Sequence, residues 1–577
     1  MPNFFLDNDD IQFQFNRMDL REVVRLVEDD YTQAQAEPTA PADYDDAKDN
    51  YRRILELVGE IAGDFVEPRA AQVDLDGPHF DDGTVTYAKG TSESLERLAR
   101  ADLMGFTLPR RYGGLNAPNT VYMLAIEIIS RADAALMNIF GLQEIAETLH
   151  SFASDEIKQT YLPRLAAGQA TGAMVLTEPD AGSDLQAVRL KASPTEDASK
   201  WLLNGVKRFI TNGCGDILLV LARSEEGTVD GRGLSLFLVE KCPHVRVRRI
   251  ENKLGIHGSP TCELVFKDAP GLLIGQRRRG LIRYVMALMN GARLAIAAQS
   301  VGIAEAAYRE ALAFARERQQ FGSHILHFPA IYDLLASMKM RVMAARTLTC
   351  EAAMAADMER LLARRMEKKL PGDDAKRLRD EQARWSKLAA ALTPMSKYYA
   401  SEIANGVCYD AIQVHGGSGF MKDYSVERHY RDARITSIYE GPSQLQVIAA
   451  IGGVLSGVLD QRFVEFAGAG FEAPLDGLAA KLTQAASDLR SAVAFVKGRN
   501  DQKYIDYHAR RLVDVATDIY IGYLFLDEAR QDNTRRIVAR KFINDLAPRA
   551  RMLCAIATDG DTTITDNYQA LLRDKAQ

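Results

Sequence analysis

At 577 residues, 47% hydrophobic and 26% charged, the chain is too long for a single hydrophobic core, and ordinary domain sizes predict roughly three to four units. The formal net charge of -7 argues against a strongly basic nucleic-acid surface while leaving room for a local patch, and no nucleic-acid partner is expected. Six cysteines lie far apart with no CxxC pair, which fits buried or free thiols and implies neither a disulfide framework nor a zinc site; no metal is predicted.

The N-terminal stretch "MPNFFLDNDD" is acidic and carries neither a secretion-signal pattern nor an Arg/Ser-biased transit pattern. No uncharged apolar run reaches bilayer length; the closest, "IYIGYLFL" at Ile519 to Leu526, is about half that. A cytoplasmic protein without a membrane span is the expectation.

In chain order, residues 1–168 place apolar residues at helical spacing, as in "YRRILELVGEIAGDFV", and predict an N-terminal α-domain with an extension before it. Residues 169–275 switch to alternation and short apolar runs ("GAMVLTE", "WLLNGVKRFIT", "DILLVLAR", "LSLFLVE", "CELVFKD") punctuated by Gly, Asn and Asp, which predicts a small middle β-barrel or sandwich. Long helices return over 276–455, and a further helical block fills 456–577. The fold class expected is α+β multidomain: helices, then strands, then helices, then an additional helical domain.

Four separated blocks carry candidate chemistry: "VLTEPDAGSD" from Val175, "RFITNGCGD" from Arg208, "RERQQFG" from Arg316, and "QVHGGSGF" from Gln413 followed by "RDARITSIYEGPSQLQ" from Arg431. In the first, a strand ends in a turn rich in Pro, Gly, Asp and Ser, leaving backbone N–H groups and hydroxyls for a ligand. In the second, Phe209 offers an aromatic face for a flat ring, and Thr211 follows at strand spacing on the same side. In the last, adjacent glycines permit close backbone approach, and a lone carboxylate, Glu440, stands between a tyrosine and a Gly-Pro pair.

In order and spacing these blocks resemble the acyl-CoA dehydrogenase family, FAD enzymes with an α-domain, a β-domain and a second α-domain that is a four-helix bundle. The longer chain resembles the subgroup with an extra C-terminal helical domain. The resemblance implies FAD contacts at Met174, Leu176, Thr177, Phe209, Ile210, Thr211, Gln413, Gly416, Gly417, Ser443 and Gln444, with Arg318 and Phe321 reaching the FAD of a neighbouring subunit. It implies acyl-CoA contacts at Ser183, Arg293, Tyr439 and Gly441, and assigns the catalytic base to Glu440. Some members carry that base on the earlier helix just before an arginine; here Ala292 precedes Arg293, and alanine takes no proton. Pro442 stands where a hydroxyl donor is usual, and Phe328-Pro329 where a His-Gln pair is common.

The reaction implied is α,β-dehydrogenation of an acyl-CoA to the trans-2-enoyl-CoA, with Glu440 taking the α-proton and hydride passing to flavin N5. Electrons would then pass to an electron-transfer flavoprotein or similar partner, and a homodimer is favoured over a tetramer. Alternative outcomes of the same resemblance are an acyl-CoA oxidase using O2 and, in another class, an AidB-like DNA-binding flavoprotein, which the charge balance disfavours. Gln143, Glu144, Glu147 and His150 lie near the segment that shapes the acyl pocket in the family, or form an outward helix face.

Overall fold

In the computed structural model, residues 2–35, 37–196, 200–367 and 372–573 are described. They fall into two compact units. One is Met1–Val342 with Ala400–Glu440; the other is Met343–Tyr399 with Gly441–Gln577.

The first unit opens with helices whose starts are written in short polar side chains. Asn8 accepts from the N–H groups of Asp10 and Ile11 at the head of Asp9–Arg17. Asp43 does so for Tyr44–Glu60 and Ser154 for Asp155–Ala166. Each cap satisfies N–H groups that the helix cannot pair internally. Helix Asn119–Ala132 is apolar on nearly every side and buried at every position but Arg131. It packs on helix Met286–Glu317, whose stretch Leu294–Ala307 is itself buried.

Together with the turn before that second helix, Gly280–Glu317 is long and apolar enough to cross a membrane by length and composition. Arg283, Arg293 and Glu305 divide it, so no uncharged run within it reaches that length. Its burial against Asn119–Ala132 gives it the setting of a core helix.

The middle of the first unit is a small barrel. Strands Gly172–Val175, Lys191–Pro194, Trp201–Thr211, Ile217–Arg223, Leu234–Glu240, Val245–Ile250 and Thr261–Ile274 form one sheet. Ile217–Arg223 pairs with Lys191–Pro194 and with Leu234–Glu240; the ring closes through Trp201–Thr211 and Thr261–Ile274. Closure removes the free edges of the ring. Gly172–Val175 joins outside the ring, parallel to Ile217–Arg223 in the register Gly172↔Ile217.

Strand alternation sorts the residues between two cores. Leu218, Val220 and Ala222 share the barrel interior with Trp201, Leu203, Phe237, Leu264 and Phe266. Ile217, Leu219 and Leu221 face outward onto Ile145 and Leu149 of helix Glu144–Phe152 and onto Leu162 and Leu165 of Asp155–Ala166. Both faces are therefore dry, which explains why "DILLVLAR" is apolar without a break.

The C-terminal helices are Met286–Glu317, Pro329–Met366, Gly372–His415, Val426–Thr436 and Ser443–Leu455, and Pro329–Met366 and Gly372–His415 each run from one unit into the other. In the second unit, Val458–Gly468, Asp476–Gly498, Gln502–Ala529, Asn533–Thr558 and Thr563–Leu571 form the extra helical block. "IYIGYLFL" is the fully buried centre of Gln502–Ala529. Polar ties inside this unit are buried as well: Thr347 donates to Glu528, and the Tyr520 hydroxyl to Glu351 at 2.9 Å.

Candidate active site

Three features of the first unit gather the predicted residues: the barrel rim, the turn before Gly441, and the end of helix Gly372–His415 with the hairpin after Met286–Glu317.

At the rim, Gly172–Val175 ends and Leu176, Thr177 and Glu178 lead into the exposed turn that carries Ser183. Thr177 O accepts from Arg208 N at 2.9 Å, joining this turn to the strand of Phe209. The ladder slips between Lys207 and Ile210. Within the slip Phe209 takes a left-handed backbone, φ 60°, and leaves its ring 52% exposed. A bulky residue in that region is strained, and such strain collects at functional sites. The bulge thus turns outward an aromatic ring that regular pleating would not aim; the Arg208 guanidinium lies 4.6 Å from its centroid.

Thr211, beyond the bulge, is half-buried and pairs with Thr261. Met174 packs against the outer core and Leu176 belongs to it, while the Ile210 side chain enters the barrel interior. At Leu176 and Ile210 the backbone is therefore the part that can meet a ligand.

Beneath the rim is a pair that sequence reading passed over. Lys207 is 0% exposed; its Nζ lies 3.0 Å from Glu178 Oε1 and donates to Leu176 O at 2.6 Å. The Glu178 carboxylate also accepts from the N–H groups of Arg189 and Leu190. Burial pushes the Lys207 ammonium down to about 8, with Glu178 opposing. The signal was present, since Lys207 stands at an inward position of a strand whose neighbours Trp201 and Leu203 are core.

In the turn after helix Val426–Thr436, Glu440 is left-handed at φ 52° and Gly441 follows at φ 93°. Tyr439 fixes the approach to this turn. Its hydroxyl donates to Gln299 Oε1, and Asn138 Oδ1 lies 3.3 Å away; Gln299 Nε2 in turn donates to Asn138 Oδ1 at 3.0 Å and Ala134 O at 2.9 Å. Burial first, and the Glu440 charge second, push the Tyr439 phenol up, so it stays a neutral donor.

Arg293 belongs to the same cluster. Its Nη1 donates to Asn290 Oδ1 at 3.0 Å, and its buried Nε has no hydrogen-bond partner. Burial lowers its proton affinity and the Glu440 charge counters that, so the guanidinium and the carboxylate lie within electrostatic reach of each other. Gln299 and Asn138 were not anticipated. They sit on helices far from residue 439 in sequence, and only the fold brings them together.

At the third feature, Gln413 is exposed near the end of Gly372–His415, followed by Gly416 at φ 60° and Gly417. A Cβ at either glycine would meet nothing within 4 Å, so both backbones face open space. Arg318 opens the hairpin Gln319–Gln320/Ser323–His324, and Phe321 at its tip is 96% exposed with φ 51°. In the second unit, Ser443 and Gln444 open helix Ser443–Leu455, which has no side-chain cap because Pro442 stands at the N-cap. There Gly441 O accepts from Lys397 Nζ at 2.8 Å and Gln446 Nε2 at 3.0 Å.

The polar helix residues Gln143 to His150 serve packing in large part. Gln143 accepts from Phe106 N and donates to Leu103 O, and Glu147 takes bonds from Thr107 and Ser151. The Glu144 carboxylate lies over Gly291, where any side chain would collide with it.

As a donor set, the first unit presents an outturned aromatic ring, threonines at a strand rim, open glycines at a helix end and a carboxylate in a strained turn. The ring, the rim threonines and the open glycines fit a flat aromatic cofactor with a pyrophosphate.

Comparison with known proteins gives matches along most of the chain. Family profiles for the acyl-CoA dehydrogenase N-terminal, middle and C-terminal domains match residues 48–169, 173–269 and 294–444, and a profile described as acyl-CoA dehydrogenase C terminal matches 459–544. An acyl-CoA dehydrogenase of Bacillus subtilis is 38% identical over 61% of this chain and 86% of its own length. The NADH-dependent acryloyl-CoA reductase of Anaerotignum propionicum is 34% identical over 62% of this chain and 85% of its own. Among solved structures, an acyl-CoA dehydrogenase of Bacillus anthracis complexed with FAD superposes over 92% of both chains with a TM-score of 0.74; at 23% identity that likeness concerns the fold, extra helical block included.

Proposed function

The chain belongs to the acyl-CoA dehydrogenase family of oxidoreductases, and from that premise we propose that it removes the α- and β-hydrogens of an acyl-CoA thioester with Glu440 as the α-proton base. The cofactor is FAD, which fits the donor set. Thr177, Phe209 and Thr211 would hold its ring, and Gln413, Gly416 and Gly417 its pyrophosphate. Bound FAD supplies a two-electron acceptor for the hydrogen that leaves Cβ.

The observation that carries the base assignment is the strained, left-handed Glu440, held by the anchored Tyr439 and faced by Arg293. Such a backbone persists only where its surroundings over-determine it. The carboxylate takes the proton from Cα as the thioester carbonyl gains enolate character. The backbone N–H of Glu440 is the donor proposed for that oxygen, where charge develops most. Arg293 keeps a cation beside the base until substrate arrives, and Ser183 on the exposed rim turn is available to the CoA arm. In reverse, the same carboxylate returns a proton to Cα, the direction named for the A. propionicum relative.

Two partners belong to this reading. The 96% exposed Phe321 supports association with a second copy through the hairpin of Arg318, a homodimer being the simplest case. An electron-transfer flavoprotein is the acceptor proposed for the electrons.

Anaerobic titration of the purified yellow protein with straight, branched and cyclic acyl-CoAs tests the proposal. At least one should bleach the flavin absorbance and release the enoyl-CoA. If every acyl-CoA leaves the spectrum unchanged, the proposal is wrong.

A further inference from the structure

Two of the six cysteines, separated by 48 positions in sequence, meet beside the barrel rim. Cys262 is buried on strand Thr261–Ile274, opposite Ile210 in the ladder. Cys214 is half-buried in the turn that follows Trp201–Thr211. Asn212, left-handed at φ 53°, folds that turn back on itself: Gly213 N donates to Ile210 O at 3.2 Å and Gly215 N to Asn212 O at 2.8 Å. The fold-back sets Gly213 so near the ladder that a Cβ there would lie 2.8 Å from Cys262 Cβ, and it puts the neighbouring Cys214 beside that strand, within electrostatic reach of the Cys262 thiol. Only a glycine at 213 permits this approach.

We propose that Cys214 and Cys262 form a peroxide-sensitive dithiol that closes to a disulfide next to the strand carrying Phe209 and Thr211. The surroundings divide the labour between the two sulfurs. The interaction with Cys262 holds the Cys214 thiol below its ordinary range against the opposing effect of burial, and the Lys241 charge adds to this. Cys262 is held up by the same interaction and by burial. Cys214, the more accessible and more acidic, is the attacking sulfur; Cys262 resolves.

The chemistry balances with hydrogen peroxide as oxidant. The Cys214 thiolate attacks one peroxide oxygen, the O–O bond breaks, and the departing hydroxide takes a proton to become water, leaving a sulfenic acid. The Cys262 sulfur then attacks the Cys214 sulfur, the S–O bond breaks, and the hydroxide leaves as water with the Cys262 proton. Two thiols lose two electrons and two protons, and one peroxide becomes two waters. Closure bears on both rim strands, because Asn212 in the same turn donates through Nδ2 to Gly172 O at 2.9 Å, at the head of the strand that leads to Thr177.

The test is thiol mapping of the flavin-loaded enzyme after brief exposure to hydrogen peroxide, with alkylation, non-reducing digestion and mass spectrometry. The expected product is a crosslink of the Cys214 and Cys262 peptides lacking two hydrogens and reversed by dithiothreitol. Cys214→Ser should leave Cys262 as a free thiol, and Cys262→Ala should leave Cys214 as a sulfenic acid trapped by dimedone. Recovery of both cysteines as free thiols in the unsubstituted enzyme would overturn the proposal. So would Cys214 oxidised to the sulfinic acid beside a free Cys262. Because the readout is covalent mass in the unsubstituted protein, it stands if a variant fails to fold and is independent of whether any acyl-CoA is a substrate.

Discussion

At the scale of single residues, the site is marked by backbone strain and by charge held out of water. Phe209, Phe321 and Glu440 all sit at positive φ, and none is a glycine. Motif spacing identifies all three as candidates, but it does not show that their backbones are left-handed, because that depends on the ladder slip, the hairpin tip and the anchored Tyr439. Lys207 is the reverse case, legible from strand parity yet hidden inside a strand that reads as ordinary. Its prediction follows from burial. Lys207→Met strands the Glu178 carboxylate, and removing one partner of a buried pair costs about 3–5 kcal/mol. The sign with pH is also fixed. The folded chain releases this proton near pH 8 and the unfolded chain near 10.5, so between those values the unfolded state holds more protons and stability from this group rises with pH. Denaturant titrations across that window should show the rise in the parent and its loss in Lys207→Met; equal stability of the two proteins at pH 7 would contradict the pairing.

At the scale of elements, alternation and helical period locate the barrel and the helices, and capping residues such as Asn8, Asp43 and Ser154 mark helix starts. What they leave out is closure. Whether seven strands make a barrel or a sandwich depends on Ile217–Arg223 pairing on both sides, a long-range event with no local signature. The glycines at the end of Gly372–His415 show how an element ends in a function. A Cβ at Gly417 meets nothing within 4 Å and its φ is ordinary, so Gly417→Leu should melt with the parent. It should nonetheless emerge from gel filtration depleted in FAD, read from the ratio of flavin to protein absorbance. Full flavin occupancy in Gly417→Leu would mean that no pyrophosphate approaches this backbone.

At the scale of the whole molecule, sequence division suggests an extra domain added after a complete enzyme, whereas contacts group those last helices with Met343–Tyr399. The bonds within that unit explain the grouping: Thr347 with Glu528, Glu351 with Tyr520, and the Tyr398 hydroxyl with Asp514 at 2.8 Å. These pairs join residues more than 100 positions apart, which is why no local pattern reveals them. Deleting residues 457–577 strips these partners from buried positions and should give a chain that loses cooperative thermal unfolding; a compact, FAD-loaded short form with parental turnover would contradict that. The functional claim itself comes down to one carboxylate, and the most direct measurement is the rate of anaerobic flavin bleaching in Glu440→Gln. The amide preserves size and turn but takes no proton, so the flavin should stay bound while bleaching by a competent acyl-CoA slows by roughly 10²–10⁴-fold. Bleaching at the parental rate, with flavin content unchanged, would show that Glu440 is not the base.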